Sequence, residues 1–307
     1  MTVQIIGPEA EVRLTWDGLT DALLAGHRMP RATVGDTFLY RGKDTLLNRA
    51  AWIDGLGSLV KCATIFPGNT ARGLPSINGA VTLYDDATGA LAALVDFHLV
   101  TKWKTAGDSL LSARLLARPE SREIVILGAG TVARSMIEAY RSAFPGAHFT
   151  VWNRSPGPAR ALAEAHADVD VAEDLRAAVH HADIICTATM SLSPLVQGEW
   201  LRPGTHLDLI GAYRPDMREV DDAVLRRARI FVDSRATTIH HIGELKDPIA
   251  RGVIDEADVN ADFYDIAAGV FRRRSEDEIT LAKNGGGAHL DLMTADYIRR
   301  AVAGADG

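Results

Sequence analysis

The chain has 307 residues, 47% of them hydrophobic and 24% charged, with a net charge of −7. That is the balance of a water-soluble globular protein, and the acidic excess argues against a nucleic-acid-binding face, which would be basic. No apolar run reaches the roughly 18 residues that a membrane-spanning helix needs, and the N-terminal segment carries Glu9, Glu11, Arg13 and Asp17 rather than a signal-peptide core.

The first elements are short. Residues 19–29 have the spacing of an amphipathic helix. Residues 37–40, 45–48 and 59–63 read as strands, punctuated by Gly42, Gly55, Gly57 and Gly68. Residues 80–84 and 91–95 flank Asp85-Asp86-Ala87-Thr88-Gly89-Ala90, a hairpin signal. A helix is expected over 100–116. This part reads as a mostly antiparallel α+β domain.

The next stretch is the most telling. Ile124-Val125-Ile126-Leu127 is a buried-strand run that turns through Gly128-Ala129-Gly130. A helical pattern follows with Val132, Met136, Ile137, Tyr140 and Phe144 on one face, and then a second strand, Phe149-Thr150-Val151-Trp152. Strand, glycine turn, helix and strand in this order form a dinucleotide-binding unit. Gly128 makes the tight turn, Gly130 admits the pyrophosphate, and Ala133 takes the small position where helix meets sheet. Thr131 and Val132 open the helix, whose N-terminal N–H groups face the phosphates. The second strand ends in Asn153-Arg154-Ser155. An acidic residue there would accept hydrogen bonds from the ribose of NAD. A guanidinium and a hydroxyl instead suit a 2′-phosphate, so the cofactor expected is NADP(H), with NAD(H) second.

The alternation continues. Strands are expected over 184–189, 206–211 and 230–233, separated by helical segments at 157–165, 172–178 and 220–229. This is the pattern of a doubly wound parallel sheet, which carries ligands at the C-terminal ends of its strands. Thr187, Ala188, Thr189 and Ser191 are accordingly assigned to the cofactor site, and Gly211 to its nicotinamide end. The run Gly285-Gly286-Gly287 is read as bringing backbone, at Gly286, close to the nicotinamide ring. A last amphipathic helix, 289–303, is expected to return to the first domain. The fold class is therefore α/β, with a Rossmann-type domain at 116–289 and a second domain made of 1–115 with 290–307.

Two residue types need separate comment. Cys62 and Cys186 lie in apolar segments and read as buried free thiols of a reducing cytoplasm. Of the 33 basic residues only six are lysine, yet Lys61, Lys102 and Lys104 fall close together. Lysine and arginine are not interchangeable where a compact, titratable ammonium is wanted. His240, His241 and His289 do not form a metal-ligand pattern, and no metal is expected.

Several blocks in order are similar to the ornithine cyclodeaminase/mu-crystallin family. They are Gly57-Ser58-Leu59-Val60-Lys61, Phe66-Pro67-Gly68-Asn69, Gly73-Leu74-Pro75, Leu83-Tyr84-Asp85 with Thr88-Gly89, Thr101-Lys102-Trp103-Lys104-Thr105-Ala106, the Gly128–Gly130 turn, and Lys283-Asn284-Gly285-Gly286-Gly287-Ala288-His289-Leu290-Asp291. The resemblance implies a homodimer with a substrate-binding and dimerising domain, acting where a carbon joins an amino or imino nitrogen and a carboxylate. It implies that Lys61 sits beside the substrate as the catalytic residue and that Arg31 holds the carboxylate. Lys104 stands where the family usually has a second carboxylate-binding arginine. It lies at the start of the expected helix, where the dipole would reinforce anion binding. Asn78 and Ser76 are candidate polar contacts.

Tyr213 stands where cyclodeaminases and alanine dehydrogenases of this family have an aspartate that serves as acid and base. A phenol with an ordinary pKa of about 10 cannot replace it near neutrality. Asp216, three residues on, could substitute but is expected in a surface turn. Arg214-Pro215-Asp216 is instead similar to the mu-crystallin branch. The function expected is NADPH-dependent reduction of Δ1-pyrroline-2-carboxylate or Δ1-piperideine-2-carboxylate to proline or pipecolate. The alternatives are cyclodeamination or oxidative deamination of an amino acid such as ornithine or alanine, an opine-like reductive amination, and non-catalytic NADPH binding. The expected partners are a small carboxylate-bearing imine or amino acid and a second copy of the chain, with no nucleic acid and no membrane.

Overall fold

The structure is a computed structural model that describes residues 2–304. Position 1 and positions 305–307 of the expected first domain lie outside the described residues. The chain forms two units, one of the described residues up to Lys104 together with those from Gly287 onward, the other Thr105–Gly286.

The first unit is built on a six-stranded sheet. Its strands are β1 (Gln4–Ile6), β2 (Thr33–Arg41), β3 (Asp44–Ile53), β4 (Gly57–Ile65), β5 (Ile77–Tyr84) and β6 (Leu91–Asp96), in the order β1-β6-β5-β4-β3-β2. All pairs are antiparallel except β1 with β6. Helix α1 (Trp16–Gly26) starts on Thr15, whose hydroxyl accepts from the Gly18 N–H. Its Leu19 and Leu23 are fully buried, each contributing about 1.5–3 kcal/mol. The return helix, α9 (Ala288–Ala303), packs on α1 and on β3 and β4. Alternation along β4 leaves Gly57, Leu59, Lys61 and Ala63 on the buried side. Cys62, on the other side, is only half-buried; strand parity sets this, which its apolar neighbours in sequence do not reveal.

Helix α2 (Phe97–Leu116) follows β6 directly, because the Asp96 carboxylate accepts from the Leu99 N–H and caps it. It runs unbroken past Lys104 and Thr105, where the two units divide. The division falls ahead of the 115/116 boundary read from sequence, and the helix runs continuously across it. At the other end it falls at 286/287, not 289/290.

The second unit is an eight-stranded, wholly parallel sheet. Its strands are β7 (Glu123–Leu127), β8 (His148–Trp152), β9 (Val169–Val171), β10 (Ile184–Thr187), β11 (His206–Leu209), β12 (Arg229–Val232), β13 (Val259–Ala261) and β14 (Thr280–Lys283), ordered β13-β12-β14-β11-β10-β7-β8-β9. Helices α3 (Thr131–Ala143), α4 (Pro156–Glu164), α5 (Leu175–His181), α6 (Asp222–Arg227), α7 (Arg235–Thr238) and α8 (Gly243–Ala250) connect them. The chain order reverses between β7 and β10, the crevice where doubly wound sheets bind ligands. Strands β7, β10 and β11 are buried on both faces, which is why Ile124–Leu127 and Ile184–Cys186 read as continuous apolar runs, while β11 carries the buried polar residues His206 and Asp208. Among the described residues, no helix is long and apolar enough to cross a membrane.

Candidate active site

In the second unit, a cavity of about 320 Å³ opens at the C-terminal ends of β7, β8 and β10. It is lined by Gly128, Ala129, Gly130, Trp152, Asn153, Arg154, Ser155, Ala188, Thr189, Met190, Ser191 and Leu195. At Gly128, φ is +110° and a Cβ would stand 2.6 Å from the Ala188 carbonyl, so only glycine fits. A Cβ on Gly130 would meet nothing within 4 Å, and Gly130 is the N-cap of α3 with no side-chain cap. The first N–H groups of α3 therefore face open space, as a phosphate requires. Thr131 and Val132 form that first turn, and Ala133 is fully buried against the sheet. These residues fit a dinucleotide.

The remaining residues expected near the cofactor, Thr187, Gly211 and Gly286, are not among those that line this cavity. Thr187 is fully buried, and its carbonyl accepts from the N–H groups of Ile210 and Gly211. The Gly286 N–H donates to Asp233 Oδ2 at 2.5 Å, so it is already engaged inside the unit. Glu219, which sequence reasoning missed, is fully buried and binds two loops at once. Its Oε1 accepts from the Thr189 N–H at 2.8 Å and hydroxyl at 2.6 Å, and its Oε2 from the N–H groups of Gly211 and Ala212 at 2.9 and 3.0 Å. A Cβ on Gly211 would collide with Thr189 and with this carboxylate. Glu219 thus fixes the loops that follow β10 and β11, and nothing in its sequence neighbourhood signals that role.

In the first unit, Lys61 of β4 is buried, and its Nζ donates to Asp291 Oδ1 of α9 at 2.8 Å. The ammonium also lies 4.8 Å from the centre of the Phe97 ring. Burial pushes the Lys61 pKa down, the Asp291 carboxylate raises it, and Lys104 and Arg49 lower it again, for a net shift downward. Burial pushes Asp291 up, but the charges of Lys61 and Lys104 outweigh that and hold it below the ordinary carboxylate range. Lys104 is therefore near both. It sits about two turns into α2, not at its start, so the helix dipole, which acts within the first turn, does not reach it. The sequence reading started this helix at Val100, three residues late, because β6 runs straight into it and the Asp96 cap sits at the end of the strand pattern. His289, whose ring meets that of His27 edge-on at 5.6 Å, is driven by burial to a pKa of about 3 and is neutral.

Arg31 is exposed, on the segment leading into β2. Asn78 is exposed on β5 and donates to the Pro75 carbonyl at 3.3 Å. Val81 is paired with Lys61 and Asn78 with Thr64. Side chains alternate along a strand, so Asn78 is on the opposite face of the sheet from Lys61. Tyr213 is exposed. Asp216 is exposed and forked by Arg214 at 2.8 and 3.0 Å, and that pairing lowers its pKa. Among the described residues, no group of three His, Cys, Asp or Glu could hold a metal ion.

Residues 54–306 match the ornithine cyclodeaminase/mu-crystallin family. The chain is 52% identical over 302 residues to a Delta(1)-pyrroline-2-carboxylate reductase of Paracoccus denitrificans, covering 96% of each. It is 34% identical over 239 residues to the ketimine reductase mu-crystallin of Mus musculus, covering 78% of this chain and 74% of the relative. Among solved structures, the Delta(1)-pyrroline-2-carboxylate reductase of Thermococcus litoralis in complex with NADH and L-proline superposes with a TM-score of 0.89. The two are 28% identical, with 99% of this chain and 98% of the other covered.

Proposed function

The chain belongs to the ornithine cyclodeaminase/mu-crystallin family, and from that premise we propose that it is an NADPH-dependent reductase of small cyclic ketimines. The substrates are Δ1-pyrroline-2-carboxylate or Δ1-piperideine-2-carboxylate and the products proline or pipecolate. The protein is an NAD(P)-dependent oxidoreductase acting on carbon–nitrogen bonds, as its named relatives are.

The observation that carries the reading is the buried Lys61 ammonium, held on Asp291 with Lys104 close by. A compact positive charge in a desolvated setting suits an imino acid, whose carboxylate it attracts and whose nitrogen needs a proton. When bound, the reduced nicotinamide supplies the hydride that the imine carbon receives. Lys61 and Lys104 then hold the carboxylate, with Arg31 as a third cation in the role the family resemblance implies. Amine oxidation needs a free base instead. The aspartate of the deaminating relatives is replaced by Tyr213, and Asp216 is locked to Arg214. The cofactor preference rests on Arg154 and Ser155, which line the cavity at the end of β8 where no carboxylate stands.

The test is turnover. Each cyclic imine with NADPH and with NADH, and ornithine with NAD, are followed at 340 nm together with ammonia release. Consumption of reduced cofactor by the imines, faster with NADPH, is expected. Ammonia from ornithine without net cofactor change would replace the reading with cyclodeamination, and equal kcat/KM for both cofactors would remove the NADPH assignment.

The same reading makes the protein a homodimer through the β-sheet of its first unit. Supporting it, every residue of β2 is exposed, including Val34, Phe38, Leu39 and Tyr40. An apolar edge strand of that length is a pairing surface unless covered. Sedimentation should give twice the 33.1 kDa chain mass, and a monomer at micromolar concentration would refute it.

A further inference from the structure

Lys61 is directly paired with Arg49 of β3, and Arg49 with Asp36 of β2. Directly paired residues share a face of the sheet, and two cations so placed repel. Asp36 takes Arg49, with Nε and Nη2 at 3.1 and 2.9 Å from its Oδ2. Lys61 is taken by Asp291, in the first turn of α9. The side chains of Lys61 and Asp291 are 8% and 1% exposed. Asp291 Oδ1 holds the ammonium, and Asp291 Oδ2 is buried with no hydrogen-bond partner among the described residues. A pair retained only for stability would gain from engaging both oxygens, because a dry, half-satisfied carboxylate is costly.

We propose that Asp291 is the positioning residue of Lys61, fixing its Nζ and keeping it an ammonium at neutral pH so that it meets the substrate charged. This rests on the reading of Lys61 as a group that faces the imino acid. The proton that Lys61 gives to the ring nitrogen matches the electron pair that nitrogen gains when the C=N bond is reduced. Lys61, neutral at that moment beside the Asp291 carboxylate, regains its proton from solvent. The charged groups facing Lys61 are Asp291 from α9, Lys104 from α2 and Arg49 from β3. The last two and burial favour the neutral amine, and Asp291 opposes them.

The test is Asp291→Asn, which keeps the shape and one acceptor and removes the charge. The acylation rate of Lys61 by acetic anhydride is measured by peptide mass spectrometry between pH 6 and 10 on the full chain without substrate. The midpoint is expected to fall by about one pH unit or more, with the alkaline limb of kcat/KM for the cyclic imine falling in step. Asp291→Glu should restore most of both. An unchanged Lys61 midpoint in Asp291→Asn overturns the proposal, whatever the imine assay gives. A lowered midpoint in a protein whose wild type turns over no imine leaves the pairing standing and removes the ketimine reading instead. Should Asp291→Asn fail to fold, the wild type decides: a Lys61 midpoint above about pH 8 agrees with an ammonium at neutrality, and one below about pH 7 overturns it.

Discussion

Lys61→Ala is expected to lower imine turnover by roughly 10²–10⁴-fold, the range that a positioned proton donor supplies, while the affinity for the dinucleotide stays unchanged. The two effects separate because the cavity that fits the dinucleotide is lined by second-unit residues alone, whereas Lys61 and its partner belong to the first unit. The substitution also has a structural cost. It leaves the Asp291 carboxylate buried without its ammonium, a change that typically costs about 3–5 kcal/mol. Asp291 would answer by taking up a proton, because burial already pushes its pKa up and the main opposing charge is gone. Loss of activity by itself is therefore ambiguous, and a double variant resolves it. Lys61→Met with Asp291→Leu removes both charges from the same dry site and should recover most of the lost stability in urea unfolding without recovering turnover. The two substitutions would then be strongly non-additive in stability, as contacting residues are. Recovery of turnover in the double variant would show that Lys61 served the fold and not the reaction.

What could be read in the sequence divides along a physical line. Local chemistry was legible: the Gly128–Gly130 turn, the apolar runs of β7, β8 and β10, and the hairpin of β5 and β6 each follow from short-range pattern and backbone geometry. Nine of the fourteen residues expected against the dinucleotide lie in the first turn of α3 or within two residues of the end of β7, β8 or β10, because strand ends are where a parallel sheet binds. The run Thr280–Lys283 was not recognised as β14, although it inserts between β11 and β12. Four residues ending in a lysine do not announce a central strand. The lysine is tolerated there because its Nζ donates to the carbonyls of Leu209 and Asn284, a pairing no local pattern encodes. Asp291, 230 positions from Lys61, and Glu219, 30 from Thr189, were equally hidden. The partner of each is set by tertiary folding, which no local pattern encodes. Asn78 shows the converse. Its nearness to a family-like block suggested a substrate contact, and strand parity puts it on the other face.

Asp208 carries a second large predicted effect, on stability and its pH dependence. It lies on β11 and is fully buried. Its Oδ2 accepts from the hydroxyls of Ser109 on α2 and Tyr140 on α3, and its Oδ1 from the Asn284 amide, all at 2.5 Å. One carboxylate thus ties the sheet to two helices and to the segment after β14. Asp208→Ala would leave three buried donors without their acceptor, and a loss of about 2–4 kcal/mol in unfolding free energy is expected. Asp208→Asn keeps one oxygen and should cost less, because both hydroxyls can rotate to accept from its NH₂. The pH dependence distinguishes the two forms of the wild-type group. Burial raises the Asp208 pKa to about 7, against the lowering donors Ser109 and Tyr140. A carboxyl that holds its proton more tightly folded than unfolded stabilises fully below its unfolded pKa of about 3.9 and loses that contribution as pH rises through the folded value. The part of wild-type stability due to Asp208 should therefore fall between about pH 4 and 7, by an amount on the order of a few kcal/mol, and Asp208→Asn should lack that fall. Urea unfolding curves of both proteins across this range measure it. Parallel pH profiles would mean that Asp208 is ionised in the folded protein, with its three donors outweighing its burial.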